Sequence, residues 1–211
     1  WATANHVPDA AIPQTLSLAP SIVGVWENYK VYLERGAPLA EWHRRVPSYF
    51  TFDDHEILND VMACGEAGYR ARRTVFRDPA LVAWYDYLGW ADPLVTSGPI
   101  HFGRASLTAE GDLLTDEAAD FRKLRLGEQA NLHVHWGTET AGVNEDALDL
   151  EPGDPNAGVY EIVEVLDEHR LRIRPAAKTT GEATYSIGRL SHGKFRVANC
   201  EFYLLDTRTH R

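Results

Sequence analysis

Four consecutive residues, Asp53, Asp54, His55 and Glu56, set three carboxyl groups and an imidazole side by side. Carboxylate oxygens suit hard ions such as Ca, Mn or Fe, and imidazole suits Zn or Fe. Neighbouring side chains on an extended chain point apart, so the four cannot all ligate one ion and must divide their roles. The plainer reading of the same residues is a solvated acidic turn with a capping Asp. His133 and His135 fall two apart on an expected strand and therefore on one face, where a metal pair is geometrically possible. They read better as a structural pair, because their neighbours belong to a β-rich stretch. Arg70, Arg72 and Arg73 read as a solvated or salt-bridged face, and Trp84, Tyr85, Tyr87 and Trp90 as packing. An acidic loop at 144–156, with Asp146, Asp149, Glu151 and Asp154, lacks the ligand spacing of an EF-hand.

These groups need elements to position them. Pro8, Pro13 and Pro20 make the first 20 residues a loop or arm. From Ser21, a fitting N-cap, Ile22, Val25, Trp26, Tyr29 and Leu33 recur at helical spacing until Gly36. Pro38 opens a shorter helix at 39–45, and the aromatic and β-branched run 46–52 predicts a short strand that delivers the acidic cluster at its C-terminal end. Asp78-Pro79 opens a further helix through Leu81, Trp84, Tyr85 and Leu88. Beyond about residue 98 the texture becomes all-β, with strands expected at 131–136, 159–166, 170–174, 184–187 and 194–205. The second and third flank Asp167-Glu168-His169, short enough for a hairpin loop. A β-barrel or small sandwich is the natural package.

With 211 residues, 44% hydrophobic and 25% charged, the chain can bury a sizeable core. Its formal charge of -10 disfavours nucleic acid or an anionic membrane as partner, since both would repel the average surface. No apolar run reaches the roughly 18 residues of a membrane span, so a soluble protein is expected. Cys64 and Cys200 give neither a metal knuckle nor a disulfide framework and read as two buried free thiols.

The segment Val46-Pro47-Ser48-Tyr49-Phe50-Thr51-Phe52-Asp53-Asp54-His55-Glu56, followed by Asn59-Asp60, resembles the strand-plus-DDHE segment of PhoD-like (alkaline phosphatase D) metallophosphoesterases. Arg77-Asp78-Pro79, the run Trp84-Tyr85-Asp86-Tyr87-Leu88-Gly89-Trp90 and the closing Leu204-Leu205-Asp206-Thr207-Arg208 are similar to that family too. The resemblance implies an α+β fold: a partial metallophosphoesterase-type α/β sandwich, interrupted by an all-β barrel or sandwich insertion. Residues 1–97 would be the N-terminal part of the catalytic domain, 98–193 the insertion and 194–211 a returning core strand.

On the family's pattern Asp54 takes the place of a metal-binding Asn, with Asp53 beside it. His55 takes that of the imidazole that contacts phosphate and protonates the leaving group. Glu56 would hold the turn or the histidine, with Asn59 in support, and Arg208 is the best bidentate donor to a substrate phosphate. The implied cofactors are divalent or trivalent ions, Fe, Ca, Zn or Mn. The implied partners are a phosphoester small molecule and the remainder of the catalytic domain, and the implied location is extracellular or periplasmic. The family's Asp-bearing first strand, Gly-Asp-x-x-Tyr segment and Gly-His-x-His motif do not occur in the sequence, so this chain would bring one metal ligand and the acid. The competing expectation is a non-catalytic β-rich binding or assembly module in which the acidic turn is vestigial or holds a structural ion.

Overall fold

A computed structural model describes residues 37–209 apart from 55, 58–60, 72, 73, 75, 89–99 and 136–154. The expected arm and helix before residue 37, two of the three clustered arginines (Arg72 and Arg73), Trp90 and the four named carboxylates of the acidic loop lie outside the described residues. The chain is α+β and rich in strand. Helix α1 is Ala37–Arg45 and helix α2 is Arg77–Tyr87. Both begin where proline is tolerated: Pro38 and Pro79 fall in the first turn, where a missing N–H costs no intrahelical bond.

Six strands then close a barrel: β1 His101–Leu107, β2 Leu113–Thr115, β3 Gln129–Val134, β4 Gly158–Val165, β5 Arg170–Arg174 and β6 Gly181–Arg189. Around the barrel they run β1-β2-β5-β4-β3-β6, every pairing antiparallel. Closure removes the exposed edges that an open sheet of this size would present. Alternation along the strands fills the interior with Leu107, Leu114, Leu132, Val134, Leu171, Ile173, Tyr185 and Ile187, all 2% exposed or less. Burying each large aliphatic side chain stabilises by about 1.5–3 kcal/mol. On the outer face of the β4–β5 hairpin, Glu164 lies opposite Arg172 and Glu161 opposite Arg174, both as exposed ion pairs. Such pairs favour the register more than they add stability.

β6 departs from this pattern, because residues 183–188 are buried on both faces. Ala183, Tyr185 and Ile187 enter the barrel core, whereas Ser186 bonds to Asp78 at the start of α2. The outer face of β6 is therefore covered by the helical part of the chain. That part has its own apolar cluster, in which Phe52, Ile57, Val61, Cys64, Phe76, Leu81 and Trp84 are buried together. Phe52 meets the Trp84 ring edge-on at 5.5 Å.

Three expectations need correction. The run 46–52 is extended but forms no strand, since none of the described residues offers it a ladder partner. Side chains hold it instead: Tyr49 stacks on Phe195 at 3.8 Å, the Thr51 hydroxyl donates to the Leu205 carbonyl at 2.9 Å, and Phe52 enters the apolar cluster. The stretch 194–205 is not one strand but a two-stranded ribbon, β7 Gly193–Val197 and β8 Cys200–Leu204, folded back at Ala198-Asn199. Cys64 is buried as expected, but Cys200 is exposed on that ribbon, and both are free thiols.

Candidate functional site

The extended chain that buries Phe52 turns the next side chain the other way, and Asp53 is exposed. Its backbone N–H donates to Glu56 Oε2 at 2.7 Å, and the Ile57 N–H donates to the Asp54 carbonyl at 2.8 Å. These bonds close a tight turn over the acidic run. Arg208 reaches this turn from the far end of the sequence. Its Nη2 donates to Asp54 Oδ1 at 3.0 Å and its Nε donates to Asp53 Oδ1. The Arg208 side chain is 12% exposed, that of Asp54 8% and that of Asp53 62%. One cation thus faces two carboxylates. Asp53, Asp54, Glu56 and Arg208 come together, whereas His55 and Asn59 lie outside the described residues.

Whether a metal fits here is a question of donors. Among the described residues no group of three or more His, Cys, Asp or Glu side chains could hold an ion. Of the cluster's three described carboxylates, Asp53 and Asp54 already face Arg208 and Glu56 accepts the Asp53 backbone N–H. The described residues do not make a metal centre by themselves.

The turn that presents Arg208 is built by Asp206. Its Oδ1 accepts the backbone N–H groups of Arg208 and Thr209 at 3.1 and 2.9 Å, and its Oδ2 accepts the Thr209 hydroxyl. Backbone bonds tie the same turn to the chain beneath α2: the Cys64 N–H donates to the Arg208 carbonyl and the Gly65 N–H to the Thr209 carbonyl. Asp206 is nearly buried and bonds to Arg77, whose side chain is fully buried. Although burial pushes the Asp206 carboxyl up, Arg77 and Thr209 hold it below its usual range.

Arg77 is the centre of a second polar network, which sequence reasoning did not assign. Its Nη1 donates to Asp78 Oδ1 at 2.8 Å and to Asn131 Oδ1 at 3.4 Å. Its Nη2 donates to Asp206 Oδ2 and the Arg189 carbonyl, both at 3.0 Å, and to Ser191 Oγ at 3.4 Å. Gly188 makes room for this meeting: a Cβ there would stand 2.8 Å from Arg77 Nη1 and Asn131 Oδ1, and closer still to Asp78 Oδ1. The sequence did hold a signal, an Arg-Asp pair set inside an otherwise apolar helix start.

The outer face of β3 and the following residue present Asn131, His133 and His135 to this network, all buried. His133 Nε2 donates to the Cys64 carbonyl at 2.7 Å, and its Nδ1 lies 3.4 Å from Asp78 Oδ2. Ser186 donates to Asp78 Oδ2 at 2.7 Å, so its oxygen accepts from His135 Nε2 at 3.2 Å. His135 Nδ1 then accepts from the Thr184 hydroxyl at 3.0 Å. With His135 neutral, this chain of donors satisfies both ring nitrogens. Burial pushes both histidines down, His135 to about 3.

A third polar group sits at the barrel's other face. Tyr185, inside the barrel, donates to Asp116 Oδ2 at 2.8 Å and accepts from His101 Nε2 at 2.9 Å. Burial, and then the Asp116 charge, push the Tyr185 phenol up, so it stays protonated. Gly103 permits this approach, since a Cβ there would lie 2.5 Å from both the Tyr185 and Asp116 oxygens.

Comparison of the chain with protein-family models, with curated proteins and with solved structures returned no match.

Proposed function

We propose that the chain is part of a metal-dependent phosphoester hydrolase of the alkaline phosphatase D type, acting on a phosphomonoester or phosphodiester. One observation carries this reading: Asp54 and Arg208, 154 positions apart, meet at 3.0 Å on a turn that also holds Asp53 and Glu56. Carboxylates that could hold a cation and a guanidinium that could hold a phosphate are the two halves of such a site. In this reading Asp54 ligates an ion of the Fe, Ca, Zn or Mn group, and Asp53 lies beside it. Glu56 holds the turn with Asn59 in support, His55 protonates the leaving oxygen, and Arg208 binds the phosphate through its planar fork. The helices and the β7–β8 ribbon belong, in the same reading, to a metallophosphoesterase-type α/β sandwich into which the barrel is inserted. The chain supplies less than a full ligand set, the remaining ligands coming from sequence outside it. Its location would be extracellular or periplasmic.

The test is hydrolysis of a bis-aryl and a mono-aryl phosphate by the longest natural form of the protein, with each metal in turn. Asp54→Asn and His55→Gln are expected to lower kcat by at least about a hundredfold, the usual size of a lost proton-transfer group. Arg208→Lys should raise KM more than it lowers kcat. Turnover that survives chelation unchanged, or none with any of the four metals, refutes the assignment.

A second reading has its own observation. Because Arg208 bonds both Asp53 and Asp54 and its turn pairs with Cys64 and Gly65, the cluster also works as a clasp closing the chain on itself. A non-catalytic β-rich binding or assembly module needs no more than that. Asp54→Asn would then lower thermal stability with no metal-dependent activity to lose.

A further inference from the structure

Two arginines that lie 131 positions apart in sequence are joined through one carboxylate. Arg77 is wholly buried and reaches Asp206 Oδ2 at 3.0 Å, and Asp206 Oδ1 accepts the backbone N–H of Arg208 at 3.1 Å. The Arg77 Nη2 that bonds Asp206 also reaches the Arg189 carbonyl ending β6 and Ser191 beyond it, and Nη1 reaches Asn131 on β3, so the barrel grips Arg77 as well. Asp78 holds it from α2, and Asp78 is itself bonded to Ser186 on β6. The barrel wall is therefore connected, through Arg77 and Asp206, to the turn that carries Arg208.

We infer that Arg77 is the positioning residue for Arg208: by fixing the Asp206 carboxylate against the barrel, it sets the turn that aims the Arg208 guanidinium at Asp53 and Asp54. Three features support this over a merely cohesive ion pair. Asp206 divides its two oxygens, Oδ2 for Arg77 and Oδ1 for the Arg208 and Thr209 N–H groups, so rotating the carboxylate disturbs both sets. The carboxylate joins the turn's backbone N–H groups to Arg77, while Cys64 and Gly65 hold its carbonyls and the Thr207 hydroxyl reaches Asp53 Oδ1 at 3.5 Å. The Arg208 Nη1 also reaches the Val61 carbonyl at 3.4 Å, so a small rotation of the turn would be transmitted to a guanidinium with three separate acceptors. Placing a phosphate-binding group within about half an ångström requires support of this sort behind it. That this guanidinium serves a substrate phosphate rests on the proposed function. That Arg77 sets its position does not.

The experiment reads position and activity separately. Side-chain 1H–15N spectra of the natural protein should show a slowly exchanging Arg208 Nε–H resonance, identified by its loss in Arg208→Lys. In Asp206→Asn this resonance should shift and exchange with solvent roughly tenfold faster or more, the order of one charge-assisted hydrogen bond. Arg77→Lys, which keeps the charge but loses the fork, should give an intermediate result. If Asp206→Asn fails to fold, Thr209→Val, which removes a single bond to Asp206 Oδ2, gives the same reading on a gentler change. An Arg208 resonance unchanged in folded Asp206→Asn or Thr209→Val overturns the inference, as does its absence from the parent spectrum. With aryl phosphate as substrate, the same variants should raise KM while kcat falls less. A shifted resonance with KM unchanged, in these variants and in Arg208→Lys, would uphold the positioning role and refute phosphate binding by Arg208.

Discussion

Cys64 sits in the apolar cluster beneath α2, where burial pushes its thiol up to about 12, whereas Cys200 is exposed at the start of β8. Thiolate and access together decide thiol reactivity. Native protein at pH 8 is therefore expected to take up one equivalent of a thiol-specific reagent, at Cys200, and a second only on unfolding. Rapid modification of both in the native state would contradict the burial of Cys64. The histidines of the network give a second expectation at this scale. His135 has a folded value of about 3 against 6.5 for a free imidazole, so it stays neutral in the fold while the unfolded chain binds its proton. Stability attached to that difference is complete above pH 6.5 and is lost as pH falls towards 3, at up to about 1.4 kcal/mol per pH unit. His133 and Asp206, both pushed down, add losses of the same sign on the acid side. His135→Gln, which cannot be protonated, should make urea-unfolding free energy depend less steeply on pH between 6 and 4. An unchanged slope would mean that the imidazole is charged in the fold.

Elements were legible where local chemistry and final environment agreed. Both described helices were announced by proline in the first turn, and the hairpin around Asp167-Glu168-His169 by alternating strands on either side. β1 was not, because Gly103, Ala105 and Ser106 blur its alternation, and β2 is three residues long. The 46–52 run shows the converse: strand composition without a partner gives an extended chain and no ladder. The ribbon turn was hidden for a local reason. Val197 pairs with Cys200, so Ala198-Asn199 forms a two-residue loop, and Ala198 takes φ 51, a conformation usually signalled by Gly or Asn. A left-handed alanine costs about 1–2 kcal/mol. Replacing it by glycine is expected to stabilise the protein by up to about 1 kcal/mol, the relief being partly offset by the freer unfolded chain. A melting temperature lowered by Ala198→Gly would show that the alanine methyl has a role in the fold. Of the candidate site, the residue types were readable but not their company: nothing local says that Arg208 turns back on Asp53 and Asp54, or that Asn131, His133 and His135 face a buried Arg77.

For the molecule as a whole, the decisive feature is that helical part, barrel and C-terminal turn share one buried set of charges. Arg77 and Asp78 are fully buried and Asp206 is 1% exposed, with neutral Asn131, Ser186 and Ser191 adding hydrogen bonds and Arg77 Nε left without one among the described residues. A buried ion pair is weak evidence of net stabilisation, because desolvation offsets attraction, yet removing one partner strands the other charge at a cost of about 3–5 kcal/mol. Arg77→Met fills a similar volume but leaves two carboxylates without their shared cation. It should therefore destabilise by that amount and, more tellingly, separate parts that now open together. In the parent, amides in α2 and in the centre of β6 are expected to exchange with solvent with closely similar free energies, since Arg77 and Asp78 at the start of α2 bond to the Arg189 carbonyl and Ser186 of β6. In Arg77→Met the barrel keeps its apolar interior of Leu132, Leu171, Ile173 and Ile187, so β6 should retain most of its protection while α2 and the turn at 206–209 lose theirs. Native-state hydrogen exchange at residue resolution distinguishes the cases. Equal loss in β6 and α2 would make the network a global support, and no loss in either would make it a passenger on apolar packing.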